Sequence, residues 1–287
     1  MEKKSLVYTR IITSKYLPKF PENIVHIFTL LEQPSTDIDE LVAAIEQEEE
    51  LTNLILNNLN NNGNPPEKRI TNVKDAILYW GRVSARNMII FFITHAFYPK
   101  ERAKETHLFT LFQYWTHVLA TGVAAEEIAK IVDYEEPYQL FSYGLLHDIG
   151  ILAIDACLAD DEAKIIEQMK KGVPHLEAER LILDGLTHCD IGSWLCKREG
   201  FPEDISYTVQ YHHTPKDATE YKYILKILFI ANILGTNYIA GKMPVDVSVP
   251  MDYEILEELG LTENDLAIVV DKMPEIVSKY TPAPIGL

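Results

Sequence analysis

The sequence predicts an all-α protein. Apolar residues recur at helical spacing through most of its 287 residues, β-branched alternation is scarce, and Pro and Gly fall at intervals suited to helix ends. The 47% hydrophobic content is enough for a sizeable core, in one large domain or two ordinary ones.

Residues up to about 15 read as a short strand over Ser5–Thr13 or as an N-terminal arm without regular structure. The turn Leu17-Pro18-Lys19-Phe20-Pro21 introduces a helix with Ile24, Ile27, Phe28 and Leu31 on one side, Pro21 suiting its first position, and the helix stops before Pro34. Ser35-Thr36-Asp37 caps a second helix carrying Ile38, Leu41, Val42 and Ile45; Glu48–Glu50 form its solvated end or the following turn. Leu51–Leu59 is a third short helix running into the polar loop Asn60–Pro66. Thr71 or Asn72 caps the next helix, whose face is Val73, Ala76, Ile77 and Trp80 and which Gly81 stops; Ser84–Phe97 follows.

Pro99 and the charged run Lys100–Lys104 suggest a hinge. Beyond it, helices are expected over Leu108–Val132, Pro137–Ile149, Asp160–Lys171, one long helix from Pro174 to Gly200, then Pro202–His213, Tyr221–Ile239, Tyr253–Gly260 and Glu263–Tyr280. Glu177 and Glu179 suit the positive end of the Pro174 helix. The division is therefore an arm over 1–15, an N-terminal helical lobe over 16–98, a second helical lobe over 105–241 and acidic C-terminal helices over 242–287.

The formal net charge is −17, with 43 acidic residues against 26 basic ones. A nucleic-acid binder carries a basic footprint, so direct nucleic-acid binding is not expected, nor is attraction to an anionic membrane. The apolar runs Met88–Ile93 and Ile227–Gly235 are too short to span a bilayer, and Met1–Ser5 leads into no leader-like apolar stretch. Cys157, Cys189 and Cys196 include no C-x-x-C pair and read as reduced core or near-core thiols of a cytoplasmic protein.

The segment Gly144–Gly150 ends an apolar helix in His147, Asp148 and a glycine. A carboxylate is costly to bury unless paired or metal-bound. His117 lies in the preceding long helix, one turn after Gln113 and beside the small residues Ala120, Thr121 and Ala124. His188 follows with Gly192 one turn on, then His212-His213 at a helix end, then Asn232 inside an apolar helix. Imidazole and carboxylate donors on several helices suit a Zn, Fe, Mn or Ni site. Each residue also has a plainer reading. A single buried histidine is more often a hydrogen-bonded core residue; Asp148 alone is an N-cap; His212 and His213 alone suit a helix C-terminus. His26, His95, His107 and His175 lack such companions and read as surface or packing residues.

In order, His117, His147-Asp148, His188 with Gly192, and His212-His213 resemble the HD superfamily of metal-dependent phosphohydrolases, the HD-GYP type in particular. Leu17-Pro18-x-Phe20-Pro21, Leu51-Thr52 leading to Asn60, and Ile70-Thr71-x-x-x-Asp75-Ala76-Ile77 with Gly81 resemble the HDOD domain of bacterial signalling proteins. The resemblance covers about residues 15 to 240. It implies a multi-helical HDOD fold with an N-terminal helical lobe packed on an HD-like lobe, and a regulatory module with a signalling protein as partner. It also implies His117, His147, Asp148, His188, His212 and His213 as metal ligands, with Gln113 and Asn232 lining the pocket.

The chain departs from HD-GYP proteins where charge matters. Gln113 stands where a ligating Glu is often found, Asn232 where HD enzymes place a late Asp, Ile151 where a lysine would contact phosphate, and Thr214-Pro215 where the Gly-Tyr-Pro loop would follow. Glu to Gln and Asp to Asn keep shape and remove two anions, which weakens the hold on a hard or borderline divalent ion. The expectation is a non-catalytic module, with one metal or a ligand pocket, acting through protein or small-ligand contacts. The rival is a phosphohydrolase acting on a nucleotide or cyclic dinucleotide; a third reading is a metal-free sensor with Trp115 and Tyr143 as an aromatic wall. A homodimer is compatible with the sequence.

Overall fold

The computed structural model describes residues 2–17, 19–33, 35–61, 65–96, 108–241, 243, 247 and 249–280. It is all-helical, with no strand among the described residues. The hinge expected at Pro99–Lys104 lies outside them, as does His107.

Six helices precede that gap: α1 (Glu2–Thr13), α2 (Glu22–Glu32), α3 (Ile38–Glu46), α4 (Glu49–Asn61), α5 (Val73–Trp80) and α6 (Arg82–Ala96). The expected strand or arm is α1, which buries Val7 and Ile11. Its partners lie far along the chain: Tyr8 meets Trp194 at 5.1 Å and Arg10 pairs with Asp161 at 2.6 Å. Two apolar residues one turn apart give too short a pattern to distinguish a helix from a strand.

Local rules account for the other early helix ends. Asp37 accepts from the backbone N of Asp39 at 2.7 Å to cap α3, and Asn72 accepts from the N of Asp75 at 2.8 Å to cap α5. Glu49 and Glu50, expected at the end of the preceding helix or in the turn after it, open α4, where acidic groups face the positive end of the helix dipole. Gly81 ends α5 at φ +76°, a conformation side chains disfavour. Asn60 fixes the following loop, accepting from Ile70 N at 2.9 Å and donating to Ile70 O at 2.8 Å.

The remaining helices are α7 (Leu111–Ile131), α8 (Pro137–Leu146), α9 (Ile149–Cys157), α10 (Ala159–Lys170), α11 (His175–Ile182), α12 (His188–Glu199), α13 (Glu203–Tyr211), α14 (Lys222–Ala240), α15 (Tyr253–Glu258) and α16 (Glu263–Tyr280). A 3-10 turn, Pro215–Asp217, precedes α14. Helix α7 is the axis of this half, with α8, α14 and α16 packed around it. The single helix expected from Pro174 to Gly200 is two, α11 and α12. The break is made by Asp184 and Gly185, at φ +54° and +83°, which leaves Thr187 free to start α12 with Asp190 accepting from its N and Oγ1.

One apolar core runs through the whole described chain, from Val7 to Val277. Pro137–Cys157 and Lys222–Ala240 are each long and apolar enough to cross a membrane, but 94% and 72% of their apolar windows are buried in this core. The buried Arg86 on α6 ties two layers together. It donates to Leu31 O and Glu32 Oε1 on α2, and to Tyr138 O and Ser142 Oγ on α8.

Glycines set how closely the helices that carry the site approach one another. A Cβ on Gly144 would lie 2.4 Å from Gly122 Cα, and one on Gly150 would lie 1.9 Å from the His188 carbonyl oxygen. Helices α7 and α8, and α9 and α12, therefore cross backbone to backbone. That brings the α8–α9 junction, His147-Asp148, against His188.

Candidate metal centre

Asp148 sits in the break between α8 and α9, in the N-cap position of α9, but its side chain makes no capping bond. It turns inward to four histidines from four places in the chain. Its Oδ2 lies 3.1 Å from His117 Nε2 and 3.2 Å from His147 Nε2. Its Oδ1 lies 3.3 Å from His188 Nε2 and 3.4 Å from His212 Nε2. All five side chains are buried.

The far edges of three rings are fixed by acceptors. His147 Nδ1 donates to Gly144 O at 2.7 Å and His212 Nδ1 to Val209 O at 2.8 Å. His188 Nδ1 donates to Glu179 Oε2 at 2.9 Å, and the same oxygen accepts from His188 N at 3.0 Å. A carbonyl or carboxylate can only accept, so each Nδ1 carries a proton, and each ring, when neutral, turns an Nε2 lone pair toward Asp148. Lone pairs facing a carboxylate repel unless protons or a cation lie between them. Asp148 Oδ1, His188 Nε2 and His212 Nε2 find no hydrogen-bond partner despite their proximity. Converging, orphaned donor atoms behind a carboxylate–histidine brace are the arrangement a divalent ion satisfies.

The electrostatics agree. Burial opposes the charge on Asp148, but the imidazoles prevail and hold its carboxyl well below the usual range. Burial pushes His147 down to about 4, keeping it neutral. Burial also works against charge on His212, but Cys189 and Asp148 raise it to about 9. A proton on His212 Nε2 and a divalent ion would compete for the same lone pair.

Of the residues expected at the site, His117, His147, Asp148, His188 and His212 converge. His213 is half-buried at the edge, its ring 5.1 Å from His188 and 4.2 Å from His212. Asn232 lines the same cavity and accepts from Thr236 Oγ1 at 3.4 Å. Gln113 does not line it. Its side chain folds back to accept from Thr110 N at 2.9 Å, completing the capping box of α7 one turn before His117. Trp115 and Tyr143 do not line it either: Trp115 packs on Phe91 and Tyr114, and Tyr143 donates to Asp204 at 2.7 Å.

Three further residues take part in the site. His175, expected at the surface or in packing, lines the cavity, stacks on His188 at 5.4 Å and reaches Glu179 Oε1 at 3.1 Å. Glu179, taken as a helix-end charge, is the buried brace of His188. The break at Asp184-Gly185 hid both, because a continuous helix places neither residue beside His188. The third is Cys189, whose Sγ lies 4.0 Å from His212 Nδ1. Burial disfavours its thiolate, yet His188 and His212 lower it to about 6. His26 is exposed, as expected.

The cavity is small, about 30 Å³, with Phe109, Ile151 and Ile239 among its apolar walls. That is room for one or two water-sized ligands beside an ion. Ile151 stands in this wall.

The HDOD domain model matches residues 17–215. An uncharacterized protein of Treponema pallidum (strain Nichols) is 23% identical over 233 residues, 80% of this chain. The chain matches only 44% of that relative's length. Among solved structures, an HDOD domain protein of unknown function from Geobacter sulfurreducens superposes with a TM-score of 0.72 at 20% identity, covering 97% of both chains. A Shewanella amazonensis SB2B protein, provisionally described as a phosphohydrolase, gives 0.71 at 18% identity over 96% of this chain and 95% of its own. A Marinobacter aquaeolei VT8 protein, provisionally described as a signal transduction protein, gives 0.75 at 16% identity over 97% of this chain and 63% of its own. At these identities the likeness establishes the fold.

Proposed function

The chain belongs to the HDOD domain family, and on that premise we propose that it is a non-catalytic regulatory module of signal transduction whose buried centre holds one divalent transition-metal ion, Fe, Mn, Ni or Zn. His117, His147, Asp148, His188 and His212 would hold the ion. When bound, it supplies the positive charge that their lone pairs require.

The observation that carries this reading is the shortage of anions. Among the described residues lining the cavity, Asp148 is the only carboxylate. Asn232 offers a neutral amide, Gln113 is committed to its helix cap, and Glu179 is spent behind His188. Two divalent ions would bring four positive charges to one carboxylate, and an activated hydroxide would offset only one of them. No cationic side chain other than imidazole stands in the described wall to meet phosphoryl oxygens, and Ile151 fills part of it. The small cavity points the same way. Output then runs through contacts with a signalling protein or a small ligand. Three free thiols fit a cytoplasmic setting.

The second reading is a metal-dependent phosphohydrolase acting on a nucleotide or cyclic dinucleotide. It is favoured by the convergence of four histidines on Asp148 and by the description given to the Shewanella relative. The full chain, loaded with Mn, Fe or Ni, separates the two when assayed against a phosphodiester and cyclic dinucleotides. The regulatory reading expects no turnover above buffer. Turnover abolished by Asp148→Ala and His147→Ala would establish the enzyme.

A further inference from the structure

The rings that face Asp148 through Nε2 have sulfur on another flank. Cys189 is the second residue of α12, 5% exposed, with Sγ 4.0 Å from His212 Nδ1. One donor atom from each of His188, Cys189, His212 and His213 can be chosen so that all four lie within 4.8 Å of one another. This is a second donor set, separate from the group formed by His117, His147 and Asp148. His188 and His212 each carry a buried Nε2 without a hydrogen-bond partner. A cysteine kept only for packing needs no such company: Cys196, two turns along the same helix and fully buried, has none.

Resting on the single-ion reading, we propose that Cys189 supplies a thiolate ligand to the bound ion together with His188, His212 and His213, and that this makes the centre select zinc over manganese. Because His188 and His212 belong to both surroundings, one ion uses them at a time, and its softness decides which set it joins. A harder ion such as Mn stays with Asp148 and its imidazoles. Zn takes three imidazole nitrogens and one sulfur. A tetrahedral zinc would need bonds of about 2.0–2.3 Å, so four donors that lie within 4.8 Å of one another would have to close in to hold it. The thiol proton leaves to solvent as the zinc–sulfur bond forms.

Cobalt(II) is the probe, since it adopts zinc geometry and absorbs light. The full chain titrated with Co(II) should show visible ligand-field bands from a tetrahedral centre and a near-ultraviolet thiolate-to-cobalt charge-transfer band. Cys189→Ser should lose the charge-transfer band while retaining ligand-field bands from the imidazoles; Cys157→Ser and Cys196→Ser should keep both. In competition titrations Cys189→Ser should weaken Zn binding at least ~10-fold and leave Mn binding nearly unchanged. Cobalt binding with no charge-transfer band, or a band that survives Cys189→Ser, overturns the cysteine ligand and leaves the single-ion reading standing. Absence of any cobalt binding overturns both.

Discussion

Glu179 grips His188 twice: one carboxylate oxygen accepts from the ring Nδ1 at 2.9 Å and from the backbone N at 3.0 Å. The ring is thereby aimed, with its Nε2 3.3 Å from Asp148. Such a carboxylate fixes the tautomer of a metal-binding histidine and raises its basicity. Glu179→Gln keeps the shape and drops the charge. It should lower metal affinity by about 10- to 100-fold by competitive chelator titration, with the far-ultraviolet circular dichroism unchanged. Unaltered affinity would reduce Glu179 to a packing residue.

Gly150 is the tightest point of the scaffold. Its missing Cβ would meet the His188 carbonyl at 1.9 Å, backbone against backbone, where no side chain can rotate away. Gly150→Ala should destabilise the fold by about 3 kcal/mol in urea unfolding and weaken metal binding as α9 and α12 part. Gly172→Ala tests a different term. Nothing lies within 4 Å of a Cβ there, but its φ is +87°, so its cost is backbone strain alone, about 1 kcal/mol.

Arg86 joins the early helices to α8. Its removal strands Glu32, whose side chain is only 17% exposed and whose carboxyl burial already pushes up against the pull of Arg86. Arg86→Met should cost about 3–5 kcal/mol, with Glu32→Gln in the same background restoring part of it. A loss below about 1 kcal/mol in chemical denaturation, the scale of an exposed ion pair, would show that the clamp carries little.

Glu127 on α7 accepts from Lys130 at 2.7 Å and from Lys272 of α16 at 2.8 Å. Burial raises its carboxyl, the two lysines outweigh that, and the net shift is downward. A carboxyl depressed in the folded state contributes stability above its unfolded pKa of about 4.3, and that contribution fades as pH falls through the lower folded value. Both lysines are half-exposed, so the effect is below about 1 kcal/mol. Wild type should melt slightly above Glu127→Gln at pH 7, and the two melting curves should converge on acidification. A gap that widens toward low pH would reverse the sign.

Much of this molecule could be read from its sequence because local rules were not overridden. Asp37, Asn72 and Gly81 end or start helices where their chemistry says they should, and the glycines flagged beside the histidines, Gly150 and Gly192, are where two backbones touch. The failures have physical causes. Helix α1 is held by contacts with Trp194 and Asp161, far away in sequence. The α11–α12 break rests on left-handed conformations at Asp184 and Gly185 that leave no mark in apolar periodicity. That one missed turn concealed the roles of Glu179 and His175. Gln113 stands at the spacing expected of a pocket residue, but a capping box claimed its side chain.

The central claim is one ion in a centre too poor in anions to hold two. Anomalous diffraction from crystals of the metal-loaded chain, collected on either side of the metal's absorption edge, tests it most directly. The account predicts a single anomalous peak bonded to His188 and His212. Two peaks bridged by Asp148 would contradict it.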